Sequence, residues 1–243
     1  MLQITNRIKK IEFEKSTFYL LLIVNLFFLS VTRFFPTMDG PAHLYNANII
    51  CSLLKEEPTL LNDFFQINKF PVPNWLSHFL LALLNFTFPA WMAEKLLIFI
   101  YIIGLSVSFR SLIKQLNPKY MGLSILIFPF SYSFLFHLGF YNYSLSFILL
   151  FSTISYWLQN QQPSLKREII LFILLNLAYF TNILTFIFLI ITLGLFIISY
   201  SVSEKLVSSS KREIFTKILK EFILLLIIAL SGLLASFWFY NTF

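Results

Sequence analysis

Six long apolar runs determine what this chain can fold into. They cover residues 17–35, 91–109, 121–136, 143–158, 169–200 and 222–240. A helix needs about 20 apolar residues to cross the hydrocarbon core of a bilayer. Hydrophobic residues make up 58% of the 243 residues and charged residues only 12%, whereas a soluble domain has about 25% charged residues. The sequence therefore predicts an all-α integral membrane protein and excludes a soluble or disordered chain.

The longest of these runs, 169–200, decides how often the chain crosses the membrane. As a single helix it would be about 48 Å long, while the hydrocarbon core is about 30 Å thick. Basic residues collect on the cytoplasmic side of membrane proteins. If the run crosses twice, with a polar turn near 179–182, all but four of the 18 basic residues fall on the side of the N-terminus. We therefore predict about seven transmembrane helices, with a cytoplasmic N-terminal segment, 1–16.

The chain is thus predicted to be a single polytopic membrane domain, 1–243, and its net charge of +7 follows from this topology. The basic excess lies on the predicted cytoplasmic side. Part of it lies in the amphipathic segment 201–221, which we expect on the anionic inner leaflet; a solvated loop is the alternative. This distribution favours the lipid bilayer as a partner and excludes nucleic acid.

The segment 36–90 is the long stretch between predicted crossings, and we expect it to be extracytoplasmic. Loops of this length are usually functional. The pattern predicts two amphipathic helices, one from Asp39 to about Glu56 and one from about Asn74 to Asn85. Asp39 is a good N-cap residue, and the proline that follows it suits a first helical turn.

Two short apolar runs place the next outer tip, 137–142, below the predicted membrane surface. The runs 121–136 and 143–158 on either side of it are short for a membrane span. Irregular backbone at that depth is tolerated against protein or a water-filled cavity, so we predict a cavity that opens outward. A thinned bilayer that matches the short helices is the alternative.

The reactive side chains of the chain collect on the predicted outer side. Asp39, His43 and Asn46 have helical spacing and share one face of the first loop helix. His78 and His137 fall on the same side of the membrane. Asp39 is the candidate catalytic residue, with a plain helix cap as the alternative, and Asp39 with His43 would supply two ligands to a divalent metal ion.

The motifs around these residues resemble a known superfamily. The sequence MDGPAHLYNA at 38–47 follows the first apolar run, and the segments 73–78, 93–96 and 137–142 accompany it. Together they resemble the GT-C superfamily of membrane glycosyltransferases, and within it bacterial polytopic proteins with a DGPxHLYNA start. The resemblance covers about 20–240. It implies a seven-span module with a large first outer loop, in the bacterial inner membrane.

The resemblance also implies an activity. Asp39 corresponds to the acidic first-loop residue that acts as the catalytic base, and the donor would be a polyprenyl-phosphate sugar, with a glycan, lipid or protein as acceptor. The second acid that such enzymes often carry is missing from 137–142. The residues that we expect to contact the substrates are Arg33, His43, Asn46, Lys69, His78, His137, Tyr141 and Asn142.

One carboxylate suffices for this chemistry. A glycosidase needs two because it protonates a poor leaving group, whereas a lipid phosphate leaves readily and only the acceptor hydroxyl needs a base. Two other classes stay open. The missing second acid fits a non-catalytic membrane subunit, or a truncated or inactive relative. A transporter or flippase is disfavoured, because no charged residue lies in the middle of a predicted span and no repeat is evident.

Overall fold

The computed structural model describes residues 2–55, 60–68, 70–205 and 211–242, and every regular element in them is helical. This agrees with the predicted all-α class. The helices in chain order are α1 (Leu2–Val31), α2 (Gly40–Leu54), α3 (Leu61–Phe64), α4 (Leu76–Asn85), α5 (Ala90–Leu116), a 3₁₀ helix (Pro118–Phe130), α6 (Phe134–His137), α7 (Tyr141–Gln159), α8 (Leu165–Thr181), α9 (Ile183–Lys205) and α10 (Lys211–Thr242).

Several of these helices are suited to a bilayer, which confirms a multi-pass integral membrane protein. Large apolar side chains point outward along them; Phe27 and Phe28, for example, are 60% and 65% exposed. Apolar surface on this scale faces lipid. In the described residues, five segments are long and apolar enough to cross: Glu12–Val31, Ala90–Leu116, Pro118–His137, Ile183–Ser201 and Arg212–Thr242. Since α7 and α8 are not among them, the count of seven crossings stays a prediction.

Ion pairs mark the end of the helix bundle opposite to the long segment between α1 and α5. Arg110, near the end of α5, pairs with Glu14 of α1 at 2.5 Å. Arg167, at the start of α8, is only 3% exposed and contacts Glu221 of α10 at 3.1 Å. Trp157, near the end of α7, lines one small cavity together with Arg167 and Glu221. We call this end the ion-pair end and the other the loop end.

The predicted division of the run 169–200 is present as two helices. Helix α8 ends at Thr181 and α9 begins at Ile183. Asn182 between them has extended backbone, and its side-chain oxygen accepts a hydrogen bond from the Thr185 N–H at 3.1 Å, which caps α9. The start of α8 and the end of α9 both lie at the ion-pair end, so the two helices form an antiparallel hairpin.

The run 121–136 differs from the ordinary helix that the sequence predicts. Its first part, up to Phe130, belongs to a 3₁₀ segment that follows a kink at Tyr120. A 3₁₀ helix rises about 2.0 Å per residue, against about 1.5 Å in an α-helix, so it covers more membrane thickness with the same number of residues. The buried residues of this segment are Ser124, Ile127 and Phe128, three and four residues apart, so they share one face.

Three helices, α2, α3 and α4, lie within the described part of the segment 36–90. Helix α2 begins directly after Asp39, the residue predicted as its N-cap, but the Asp39 side chain makes no capping hydrogen bond. The predicted end of this helix, near Glu56, lies outside the described residues. The short helix α3 was not predicted, and α4 corresponds to the second predicted helix.

Two segments that the sequence predicts outside the membrane, 1–16 and 201–221, are part of longer helices where the structure describes them. Residues of the predicted N-terminal segment 1–16 belong to α1 from Leu2 onward. The predicted amphipathic segment 201–221 is not a separate helix in the described residues. It is divided between the end of α9 and the start of α10, and 206–210 lie outside the description.

Candidate functional site

The outer tip 137–142 lies directly against the start of α2. The backbone N–H groups of Met38 and Asp39 donate to the carbonyls of His137 and Leu138 at 3.0 and 3.1 Å. Gly139 follows with a φ of +89°, and a Cβ on it would lie 2.9 Å from the Asp39 nitrogen. Only glycine accepts both this conformation and this close approach. Two motifs that are distant in the sequence therefore meet at Asp39.

Asp39 is held by its backbone and leaves its carboxylate available. The side chain is partly exposed and makes no capping bond to α2. The Asp39 carbonyl accepts a hydrogen bond from the His43 N–H at 3.0 Å, so His43 follows one helical turn later. The predicted neighbourhood of Asp39 and His43 is therefore present.

His43 forms a pair with a second predicted residue, His78 of α4. Nδ1 of His43 lies 3.0 Å from Nε2 of His78. Burial lowers the pKa of His43 below its usual 6.5, although the Gly139 backbone and the charge of Asp39 act in the opposite direction. Burial and the neighbouring His43 lower the pKa of His78. Burial thus favours the neutral form of both rings, in which one ring donates its N–H to the other.

A buried carboxylate lies close to this site, and the sequence reasoning did not assign it a role. Glu94, in the first turns of α5, is 5% exposed. The Tyr141 hydroxyl donates to Glu94 Oε1 at 2.6 Å and lies 2.8 Å from Thr37 Oγ1. A Cβ on Gly40 would overlap all three of these side chains, so the start of α2 sits directly on them. The sequence offered one signal for this residue: Glu94 is an isolated acid beside Lys95 near the start of an apolar run.

Two predicted substrate contacts are engaged inside the protein. Tyr141 is 2% exposed and bonds to Glu94. The Asn142 side chain accepts a hydrogen bond from the Ser77 N–H at 2.7 Å and donates to the Asn74 carbonyl at 2.6 Å. These bonds hold Asn74 at a φ of 63°, a left-handed conformation that asparagine tolerates better than most residues. Contact of Tyr141 and Asn142 with a substrate stays a prediction.

A cleft of about 520 Å³ opens beside the histidine pair. Its walls are α2, α4, the segment 65–75 and the end of α10. Two predicted residues, Asn46 and His78, line it. Asp39 does not line it but is connected to it through His43, which bonds to His78. The hairpin tip holds two residues of this wall, because the Trp75 N–H donates to the Phe180 carbonyl at 2.8 Å and the Tyr179 hydroxyl donates to the Pro71 carbonyl at 2.7 Å.

The predicted cationic and aromatic contacts lie at the surface of the loop end. The Arg33 guanidinium lies 5.4 Å from the ring centres of both Phe34 and Trp91. Lys95 lies 5.6 Å from the Trp91 ring, so two cations share this aromatic side chain. His137 is exposed and stacks on a neighbouring aromatic ring. Lys69 lies outside the described residues.

A second cavity, of about 600 Å³, lies between α5, the 3₁₀ helix and α7. Its lining is mainly aromatic and aliphatic, with Phe109, Phe130 and Phe151 among the residues. Ser133 and Tyr143 bring its lining close in sequence to the tip 137–142. The dimensions and apolar walls suit a hydrocarbon chain.

The ligands for a metal ion are incomplete in the described part of the chain. It contains no group of three or more His, Cys, Asp and Glu side chains arranged to hold an ion. Asp39 and His43 alone would supply two ligands. A divalent ion at this place stays a prediction.

The fold and site define a multi-pass helical membrane protein with a polar site at its loop end. Comparisons with protein-family models, curated proteins and solved structures give no match to this chain. Its function is therefore argued from the site.

Proposed function

We propose that this protein is a membrane glycosyltransferase of the GT-C type that takes its sugar from a polyprenyl-phosphate donor and uses Asp39 as general base. The observation that carries the proposal is the position of Asp39. It lies where the long segment 36–90 meets the tip 137–142, with its carboxylate free of helix capping. A base must reach the proton that it removes, and an uncommitted carboxylate at a polar junction fits that role.

The reaction needs one base and a stabilised leaving group. The acceptor oxygen bonds to the anomeric carbon of the sugar while the bond from that carbon to the phosphate oxygen breaks, and the acceptor proton goes to Asp39. Arg33 and Lys95, which both lie against the Trp91 ring, are cations at the loop end that would meet the phosphate. The leaving phosphate needs no added proton, which is consistent with a single catalytic carboxylate.

The apolar cavity between α5, the 3₁₀ helix and α7 supports a lipid-linked donor. Its volume of about 600 Å³ and its aromatic lining suit a polyprenyl chain. Its residues Ser133 and Tyr143 flank the tip on which Asp39 rests, so a chain in this cavity would bring its phosphate toward the loop end.

The proposal includes the full topology. It has seven crossings, a cytoplasmic N-terminus, an extracytoplasmic segment 36–90 and a location in a bacterial inner membrane. The alternation of helix ends supports it, since the ends of α5 and α7 and the starts of α8 and α10 share the ion-pair end. Most basic residues then lie on the cytoplasmic side, as membrane insertion favours.

The activity test is sugar transfer by the purified protein in nanodiscs that contain a radiolabelled polyprenyl-phosphate hexose. We expect release or transfer of the sugar, and a loss of at least about 100-fold in Asp39→Asn, because general bases contribute about 10²–10⁴-fold. Asp63→Asn is the matched control, since Asp63 is an exposed acid in the same segment. Equal activity in Asp39→Asn would refute the assignment. A folded wild type without transfer would favour the non-catalytic subunit.

A further inference from the structure

We propose that the cleft between α2, α4 and segment 65–75 binds a neutral oligosaccharide, which is the acceptor of the reaction. Calling this ligand the acceptor rests on the proposed function, whereas binding in the cleft depends only on its chemistry. The cleft has a volume of about 520 Å³, within the range of about 300–1,000 Å³ that is usual for small-ligand sites.

Side-chain amides give the cleft its polar character. Asn46, Gln66, Asn68 and Asn74 all line it. An amide both donates and accepts hydrogen bonds, which is what a sugar hydroxyl requires of its partner. The Asn68 oxygen accepts from the Phe70 N–H at 2.9 Å, and this bond orients the amide and leaves its NH₂ group as a donor. His78 adds a neutral ring to the same wall.

Aromatic rings provide the apolar part of the wall. Trp75, Phe65 and Phe239 line the cleft together with the amides. The negative face of an aromatic ring attracts the C–H face of a pyranose. Among the described residues that line the cleft, none is an acid, a lysine or an arginine. Within this described lining an anionic ligand finds no cation and a cationic ligand finds no carboxylate, so this part of the wall favours a neutral ligand.

The cleft is held in shape before a ligand arrives. The Trp75 N–H is bound to the Phe180 carbonyl at 2.8 Å, and Asn142 fixes Asn74 and the start of α4. A preformed wall lowers the entropic cost of binding. His78, in the cleft wall, bonds to His43, and the His43 N–H donates to the Asp39 carbonyl. An oligosaccharide in the cleft would therefore lie beside the histidine pair that separates it from the proposed base.

Binding is tested by saturation-transfer NMR on the full chain in nanodiscs, since detergents with sugar headgroups would compete. The probes are mannotriose, chitotriose and maltotriose, with trigalacturonate as the charged probe and trialanine as the peptide probe. We expect at least one neutral trisaccharide to bind and the charged and peptide probes to give no signal. No binding of any neutral probe, or stronger binding of trigalacturonate or trialanine, would overturn the proposal.

Variants locate the binding. Asn46→Leu keeps the branching of the side chain but removes its amide, and it should weaken trisaccharide binding about fivefold, the effect of one hydrogen bond. Trp75→Leu should weaken it more than tenfold, at roughly 1.4 kcal/mol per tenfold, while Trp75→Phe keeps a ring and restores most of the affinity. Asn241→Leu is the control, because Asn241 is an exposed amide that does not line the cleft and donates to the Phe237 carbonyl of its own helix. If both Asn46→Leu and Trp75→Leu bound the trisaccharide with the affinity of the wild type, this cleft would be refuted as the binding site.

The two proposals fail separately. Asp39→Asn should bind the trisaccharide as the wild type does, because Asp39 is not part of the cleft lining. Trisaccharide binding without any sugar transfer supports the cleft and contradicts the proposed enzyme. Sugar transfer without trisaccharide binding supports the enzyme and contradicts the cleft.

Discussion

Gly40 shows how closely the first residue of α2 approaches the buried carboxylate. A Cβ at this position would overlap Thr37 Oγ1, Glu94 Oε1 and the Tyr141 hydroxyl. These atoms bond to one another and cannot move apart without losing hydrogen bonds. The position of Asp39, the preceding residue, therefore depends on the absence of a Cβ atom in Gly40.

We expect Gly40→Ala to destabilise the protein by about 1–3 kcal/mol, the usual cost of an extra methyl group in a tightly packed place. Transfer activity should fall with it, because α2 and Asp39 must shift. Thermal unfolding in nanodiscs measures the effect. Gly122→Ala is the control, since the nearest atom to its added Cβ is 3.9 Å away. Equal melting temperatures for the two variants would contradict the packing argument.

The histidine pair predicts a dependence of stability on pH. Both rings have a folded pKa below the ordinary 6.5, so the unfolded chain binds protons more readily than the folded one. The histidines make their full contribution to the free energy of unfolding at pH values above 6.5, the pKa of the unfolded chain. This contribution is lost as the pH falls from 6.5 toward the folded pKa. We expect the melting temperature to drop between about pH 7 and pH 5.

Replacing His78 tests this origin. His78→Gln removes one of the two rings that resist protonation, so the drop in melting temperature on acidification should become smaller. Asn46→Gln serves for comparison, because it changes an exposed, non-titrating side chain near the pair and should keep the slope of the wild type. An unchanged slope in His78→Gln would mean that other groups cause the acid sensitivity.

At the scale of elements, the helices are joined by polar contacts at both ends of the bundle. At the loop end the tip 137–142 pairs with the start of α2, and the hairpin tip holds segment 65–75. At the ion-pair end Arg167 joins α8 to Glu221 of α10 and also contacts Glu168 at 2.9 Å. Apolar contacts with lipid are non-specific, so these polar contacts fix which helices are neighbours.

Among the contacts between helices described above, we expect the loss of the Arg167 side chain to lower the free energy of unfolding most. Arg167→Met would leave two carboxylates close together without their cation, and we expect a loss of about 3–5 kcal/mol, as for other buried pairs from which one partner is removed. Lys166→Met on the same helix is the control, because Lys166 is exposed. Chemical denaturation in mixed micelles measures both. A loss in Arg167→Met no larger than that in Lys166→Met would show that the cluster contributes little.

At the scale of the whole molecule, the hairpin of α8 and α9 determines the sidedness of the basic residues. If the hairpin crosses the membrane twice, Lys166 and Lys220 lie on the same side. If its residues crossed only once, the two would lie on opposite sides. The ion pair between Arg167 and Glu221 supports the first arrangement, since it places the starts of α8 and α10 together.

Cysteine labelling with a membrane-impermeant reagent tests the topology in cells. In a Cys51→Ala background, Asp63→Cys should be labelled from outside, because Asp63 is exposed in segment 36–90. Lys166→Cys and Lys220→Cys should be labelled only after the membrane is permeabilised. Labelling of Lys220→Cys from outside would contradict the seven-crossing arrangement.

The sequence alone determined that the chain folds in a bilayer, that its class is all-α, and part of the order of its helices. The apolar runs required a bilayer, the length of 169–200 required a break, and Asp39 marked the start of a helix, because these depend on residues that are close in the chain. The same reasoning missed the 3₁₀ helix, since a short apolar run does not reveal its helical period.

Tertiary structure decided which polar groups meet. The bond between Thr37 and Tyr141 joins residues 104 positions apart, and the bond between His43 and His78 joins two loop helices. Local patterns do not encode such pairs, because they depend on how the helices pack and on glycines that admit close contact. The sequence could name Asp39 and the histidines as candidates, but only the packing brought Glu94 beside them and turned Asn142 into a support of the cleft.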